Sequence, residues 1–355
     1  MSSAAPAGRT NPALVSLTAP VRALLTVAGD ELRKDGENQA KRANRVPRAD
    51  RTEQPKGWAP NLGIRCAVFF NSLFVQEKDM QIASRFASRS PSLRSDYPLS
   101  DDQIRRVAPS IFADAPHESR SERYSYIPTA AVLTELRKEG FQPFMVTQTR
   151  VRDEGKREHT KHMLRLRHAS QINGEEANEI VLLNSHDGTS SYQMLAGMFR
   201  FVCSNGLVCG DTVADVRVPH KGDVSGHVIE GAYEVLRGFN RVKESRDAMR
   251  AITLDESEAE VFARSALALK YDPTDNKPAP ITESQILMPR RFDDRRPDLW
   301  SVFNRTQENL TKGGLHGRSA NGRRQQTRPV QGIDSDVRLN RALWMLADGL
   351  RQLKA

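Results

Sequence analysis

Apolar residues recur along this chain with two different periods, and the change between them organises the sequence. Between about residues 142 and 219 they alternate or cluster in short runs, which predicts strands at 144–152, 160–168, 179–183, 192–195, 199–203, 207–209 and 213–218. From Val224 onward the spacing is helical. It predicts helices over 224–252, 257–269, 282–287, 298–310 and 334–350. In the last of these, Leu339, Leu343, Leu346 and Leu350 share one stripe, flanked by Trp344. Ahead of the β block lie a short helix at 82–87, a helix after Leu99 with Ser100 as N-cap, and a strand-like stretch at 124–127. A further helix at 131–139 is stopped by Gly140. Strands followed by a run of helices predict an α+β protein. Its antiparallel sheet core spans about 124–219 with an inserted helix, and a C-terminal helical region follows.

Three stretches differ enough to be treated separately: 1–79, 80–222 as the sheet core, and 223–355 as a helical region packing on the sheet. Residues 1–58 hold 10 Lys and Arg against 6 Asp and Glu, and Pro6, Pro12, Pro20, Pro47 and Pro55 interrupt any helix. We expect a disordered arm there. Residues 64–75 form an apolar run with no periodic partner. Gln76 and Glu77 are compatible with a translated ribosome-binding sequence ahead of Met80, so the second expectation is that Met80 is the natural start.

Charge changes the picture. The 355 residues carry 53 Lys and Arg against 44 Asp and Glu, a formal +9. Three cysteines exclude a disulfide framework. No apolar run reaches the roughly 20 residues of a membrane span, and no signal peptide is evident, so a cytoplasmic protein with no membrane partner is expected. Within 160–168, His162, Leu164, Leu166 and His168 share one face, and Lys161, Arg165 and Arg167 lie on the other. The leucine face is the expected core face. If the preceding strand pairs with this one, Arg150 and Arg152 join Lys161, Arg165 and Arg167 in a cationic sheet face able to contact phosphates. The alternative is a solvated face with Glu154 and Glu158 as counter-charges. His220 and Lys221 extend the basic set. Residues 312–328 hold Lys312, Arg318, Arg323, Arg324 and Arg328 with four glycines and no acid, which predicts a mobile loop for sequence-independent backbone contact.

Asn205-Gly206 between apolar runs is a type I′ hairpin signature. A two-residue turn there sends Cys203 and Cys209 to opposite faces, so neither a disulfide nor a shared metal is expected between them. His159 and His162 likewise face opposite ways. The 184–190 loop, with His186 and Asp187, reads as a turn whose polar side chains cap its own backbone, or as a catalytic loop with His186 as base and Asp187 as orienter. Ser185 and Ser190 are the sole nucleophiles in reach, so no catalytic residue, metal or cofactor is assigned.

The strings RSERYSYIP (120–128), REHTKHMLRLR (157–167), LNSHDG (183–188), FRFVCSNGLVCG (199–210) and VPHKGD (218–223) resemble the phage/plasmid-like family described as domain of unknown function 932. So does the tail from KGGL (312–315) to LNRALW (339–344). The resemblance covers nearly all of 80–355 and implies a bacterial protein of plasmids, prophages or integrative elements. The order strand, helix, basic hairpin is also similar in topology to the opening of single-strand annealing proteins. The reading is a non-enzymatic nucleic-acid-binding protein, single-stranded DNA favoured, acting in recombination or element maintenance, with a homo-oligomer compatible with it. The alternatives are a hydrolase or nuclease using His186, Asp187 and His220, and an accessory protein-binding factor that counters host defence.

Overall fold

The computed structural model describes residues 90–121, 124, 126–173, 176–201, 205–209, 215–218, 224–271 and 278–355. The expectations for 1–79, the start at Met80 and the helix at 82–87 lie outside these residues, as do Cys203, His220 and Lys221.

One curled antiparallel sheet carries the N-terminal half. Its strands are β1 (Ser92–Arg94), β2 (Phe141–Gln148), β3 (His162–Asn173), β4 (Glu176–Asn184), β5 (Tyr192–Arg200), β6 (Asn205–Val208) and β7 (Asp215–Val218). The order is β1-β2-β3-β4-β5-β6, and β7 also pairs with β5. β6 occupies the 197–200 end of the β5 edge and β7 the 192–195 end. Among the described residues, two α-helices come before β2: α1 (Asp101–Val107) and α2 (Thr129–Lys138). After the sheet come α3 (Val224–Ala251), α4 (Glu256–Lys270), α5 (Glu283–Leu287), α6 (Leu299–Lys312) and α7 (Ile333–Lys354). A short hairpin, β8 (His316–Arg318) with β9 (Arg324–Gln326), separates α6 from α7. No described helix is long and apolar enough to cross a membrane.

Local signals set most boundaries. Ser100 closes a capping box with Gln103 at the start of α1, satisfying two backbone donors that would otherwise be orphaned. Gly140, at φ 87°, ends α2 where an L side chain would be strained. Three readings need correction. Residues 192–195 and 199–203 are not two strands. Met194, Ala196 and Met198 continue one inward face, so the strand runs unbroken from Tyr192 to Arg200. Residues 124, 126 and 127 are not in a strand, and the sheet's first strand is the three-residue β1 on the outer edge of β2. Asn205-Gly206 is not the turn. Phe199 faces Gly206 and Arg200 faces Asn205, so both residues sit inside β6.

The sheet is covered on both sides. On one face Leu164, Leu166, Ile180, Leu182, Met194 and Met198 pack under α2 and α3, against Leu136, Val228, Val235 and Phe239. This core continues into the helical region through Phe262, Trp300, Phe303 and Trp344. On the other face Met163, Val181, Leu183, Leu195 and Val208 close against Ile333 and Val337 at the start of α7. Burial on both sides accounts for strands that read as continuous apolar runs instead of clean alternation. The expected stripe on α7 is present, with Leu339, Leu343 and Leu346 buried and Leu350 half-buried.

Candidate nucleic-acid interface

The basic set read from the sequence divides into groups with different fates. Arg165 and Arg167, expected on a solvent-facing cationic sheet face, are instead 1% and 2% exposed. Both converge on Glu179 of β4, which is fully buried. Arg165 Nη1 donates to Glu179 Oε2 at 2.9 Å and to the Leu207 carbonyl at 3.1 Å, and Arg167 Nε donates to Glu179 Oε1 at 2.8 Å. The Arg167 guanidinium also lies 4.4 Å from the Phe144 ring centroid and 4.1 Å from that of Phe199, a cation–π cage. Gly206 completes the site, since a Cβ there would stand 2.5 Å from Arg165 Cζ. Two guanidinium groups are held in the interior because a carboxylate directly opposite Arg167 in the ladder pairs with both. Glu179 and Gly206 were missed as members of this group. Their signal was the register that places Glu179 across from Arg167, and register follows from the pairing of strands and not from spacing within one strand.

Lys161 donates to Asp334 at 2.5 Å and ties the start of β3 to the last helix. Arg150 and Arg152 are exposed after β2. The structure therefore does not assemble Arg150, Arg152, Lys161, Arg165 and Arg167 into one accessible face.

The histidines at the other end of the sheet form an interior network. His162 and His186 are both fully buried, with ring centroids 5.2 Å apart. Ser110 Oγ lies 2.9 Å from His162 Nδ1, and Thr129 Oγ1 lies 2.9 Å from His162 Nε2 and 3.4 Å from His186 Nε2. Asn184 donates to Thr129, and Ser110 donates to Gln148. Burial, with a smaller contribution from His186, pushes the His162 imidazole down to about 3, so it is neutral at physiological pH. Asp187 does not orient His186. Its Oδ1 accepts from the Thr189 amide at 3.0 Å and from the Thr189 hydroxyl at 2.6 Å, the self-capping turn expected for this loop. His159 pairs with His117 at 5.3 Å and not with His162. No group of three or more His, Cys, Asp or Glu among the described residues is arranged to hold a metal ion.

The C-terminal basic segment is the accessible one. It is an ordered hairpin where a mobile loop was expected. Its turn is closed by Ser319 N–H to Arg323 carbonyl and Gly322 N–H to Ser319 carbonyl, both 2.9 Å. The Arg318 amide donates to the Pro280 carbonyl at 2.9 Å, and Gln285 donates to the His316 carbonyl at 2.7 Å, so the finger is anchored along β8. Lys270 Nζ donates to the Leu310 carbonyl at 2.5 Å. Burial lowers this amine to about 8. Arg318 and Arg324 are direct cross-strand partners, and Arg318, Arg323, Arg324 and Arg328 are all exposed. Lys312 at the base is anchored by Glu308 at 2.9 Å.

The sequence model of the family described as "Domain of unknown function (DUF932)" matches residues 116–344. The chain belongs to this family. It is 58% identical over 270 residues to the UPF0380 protein YafZ of Escherichia coli (strain K12), a match covering 76% of this chain and 97% of that relative. The UPF0380 protein YfjQ of the same organism matches with the same identity and coverage. No solved structure matches the chain. The family span takes in the Arg165–Glu179–Arg167 group, the histidine network apart from Ser110, and the whole β8–β9 hairpin.

Proposed function

We propose that the chain is a non-enzymatic nucleic-acid-binding protein that grips the sugar-phosphate backbone, of single-stranded DNA by preference, with the β8–β9 hairpin. Under this reading it acts in recombination or maintenance of the mobile element that the family resemblance implies. One observation carries the proposal: Arg318 and Arg324 are set directly opposite each other on an exposed two-stranded finger. Like charges at facing positions destabilise a ladder by a few tenths of a kcal/mol or more. Arg323 and Arg328 add to the same charge, and residues 312–328 contain no carboxylate to relieve it. A bound polyanion removes this repulsion and releases condensed counterions as it does so. The hydrolase reading has less support, since His186 has no exposed surface and Asp187 is committed to Thr189.

The test is fluorescence anisotropy with a labelled single-stranded oligonucleotide across a salt series. It compares the wild-type chain with the triple variant Arg318→Ala/Arg323→Ala/Arg324→Ala. Each lost phosphate contact on a single strand lowers the slope of log K against log salt by about 0.7, so the slope should flatten by about 2. Circular dichroism should be unaffected and melting unchanged or slightly higher, because these side chains are exposed and their mutual repulsion is removed. An unchanged slope and affinity would remove the hairpin from the interface.

A further inference from the structure

The surface next to the hairpin holds an aromatic side chain that no core explains. Phe292 is 77% exposed, among the few large apolar side chains so exposed in the described residues. It sits in the run Arg290-Arg291-Phe292-Asp293-Asp294-Arg295-Arg296. The two arginines before it are fixed. Arg290 donates through Nε to Asn309 Oδ1 at 2.7 Å and through Nη2 to the Gly313 carbonyl at 2.6 Å, at the foot of the hairpin. Arg291 forms a two-pronged pair with Glu308, at 2.6 and 2.7 Å. The same carboxylate holds Lys312, so Arg291 and Lys312 are linked through one anchor. Asp293, which directly follows the ring, is exposed, and Asp294, the second acid, is 1% exposed and committed to Arg200 at 2.9 Å and Arg291 at 3.3 Å. Arg295 lies over the Phe292 ring with its Cζ 5.2 Å from the centroid. The ring thus carries Arg295 over it, lies two residues from the Arg290 that bonds to the hairpin base, and is largely open to solvent.

We propose that Phe292 is a base-stacking platform belonging to the same surface as the β8–β9 hairpin, and that the ligand of this surface is therefore a single strand with accessible bases, not a duplex. This inference rests on the hairpin reading and adds to it. Phosphates alone need only the arginines, whereas an exposed aromatic ring beside a guanidinium group takes the face of a base whatever its identity. In a duplex both faces of each base are already stacked, so the ring gains nothing from it.

The experiment uses the full chain and labelled oligothymidine, a duplex of equal length, and an abasic sugar-phosphate oligomer. Stacking on an aromatic ring contributes enough that Phe292→Ala should weaken oligothymidine binding by about five- to a hundredfold. Its salt slope should stay unchanged, because no phosphate contact is lost. Duplex and abasic affinities should also stay unchanged, and Phe292→Trp should restore oligothymidine binding. An oligouridine arm of the same length distinguishes RNA from DNA as the source of the strand. Oligothymidine affinity within twofold of wild type in Phe292→Ala, with binding still lost in the arginine triple variant, would overturn the platform and leave the hairpin reading standing. An equal loss of abasic and oligothymidine binding would also overturn it. Unchanged binding in the triple variant with a loss in Phe292→Ala would overturn the hairpin instead. Absence of binding by the wild-type chain to all probes would overturn both.

Discussion

Neutralising Glu179 should be among the most damaging single changes in the sheet. In Glu179→Gln the side chain keeps its volume and one acceptor, but two guanidinium groups that are 1% and 2% exposed lose the counter-charge to which both bond. At an effective dielectric near 20, two unit charges about 4 Å apart attract by about 4 kcal/mol, and there are two such pairs. Desolvation offsets much of that attraction while the group is complete. Removing one partner leaves the desolvation cost uncompensated, and the usual loss is about 3–5 kcal/mol. With a urea m-value of about 3 kcal/mol/M for a domain of this size, the midpoint should fall by about 1 M or more. Equilibrium urea unfolding can be followed by the fluorescence of the buried Trp300 and Trp344. A second variant separates charge from packing. Removing all three charges together, in Arg165→Met/Arg167→Met/Glu179→Leu, should cost less than Glu179→Gln alone, because neither guanidinium is left buried against a neutral partner. A loss below about 1 kcal/mol in Glu179→Gln, or a triple variant worse than the single, would refute the reasoning.

Two further outcomes follow from the same geometry. Gly206→Ala should destabilise the sheet by about 1–3 kcal/mol, because the new Cβ stands 2.5 Å from Arg165 Cζ in a packed interior. The effect should shrink in an Arg165→Met background, and an equal loss in both backgrounds would show that backbone conformation is responsible. Acid should also weaken the fold through His162, whose folded value of about 3 lies well below the ordinary histidine value of 6.5. Between those two values the unfolded chain takes up a proton that the folded chain refuses, so stability falls as pH falls from about 6.5 toward 3. His162→Gln should flatten that part of the urea-midpoint profile, and a profile with the wild-type slope would show that other groups set it.

Much of the architecture was legible from local pattern. The Ser100 N-cap, the glycine that ends α2, the alternation along β3 and the leucine stripe on α7 are all encoded within a few residues, and the structure places each of them as read. The self-capping of the 184–190 loop was legible for the same reason, since Asp187 bonds to a residue two positions away. What escaped depended on partners distant in sequence. Alternation correctly put Arg165 and Arg167 on the face opposite Leu164 and Leu166, but it does not say what covers that face. The start of α7 covers it, more than 160 residues later, and Glu179 comes from the neighbouring strand. Asn205-Gly206 carried the local preference of a turn and was drawn into β6 by its register with Phe199 and Arg200, where the missing Cβ admits the Arg165 guanidinium. The charge of residues 312–328 was evident from composition. That Arg318 and Arg324 oppose each other, and that Arg290 fastens Phe292 to the same base, appears only when the chain is folded. Hydrophobic period and capping act over one or two turns of chain, whereas burial, register and charge pairing belong to surfaces that only the tertiary structure brings together.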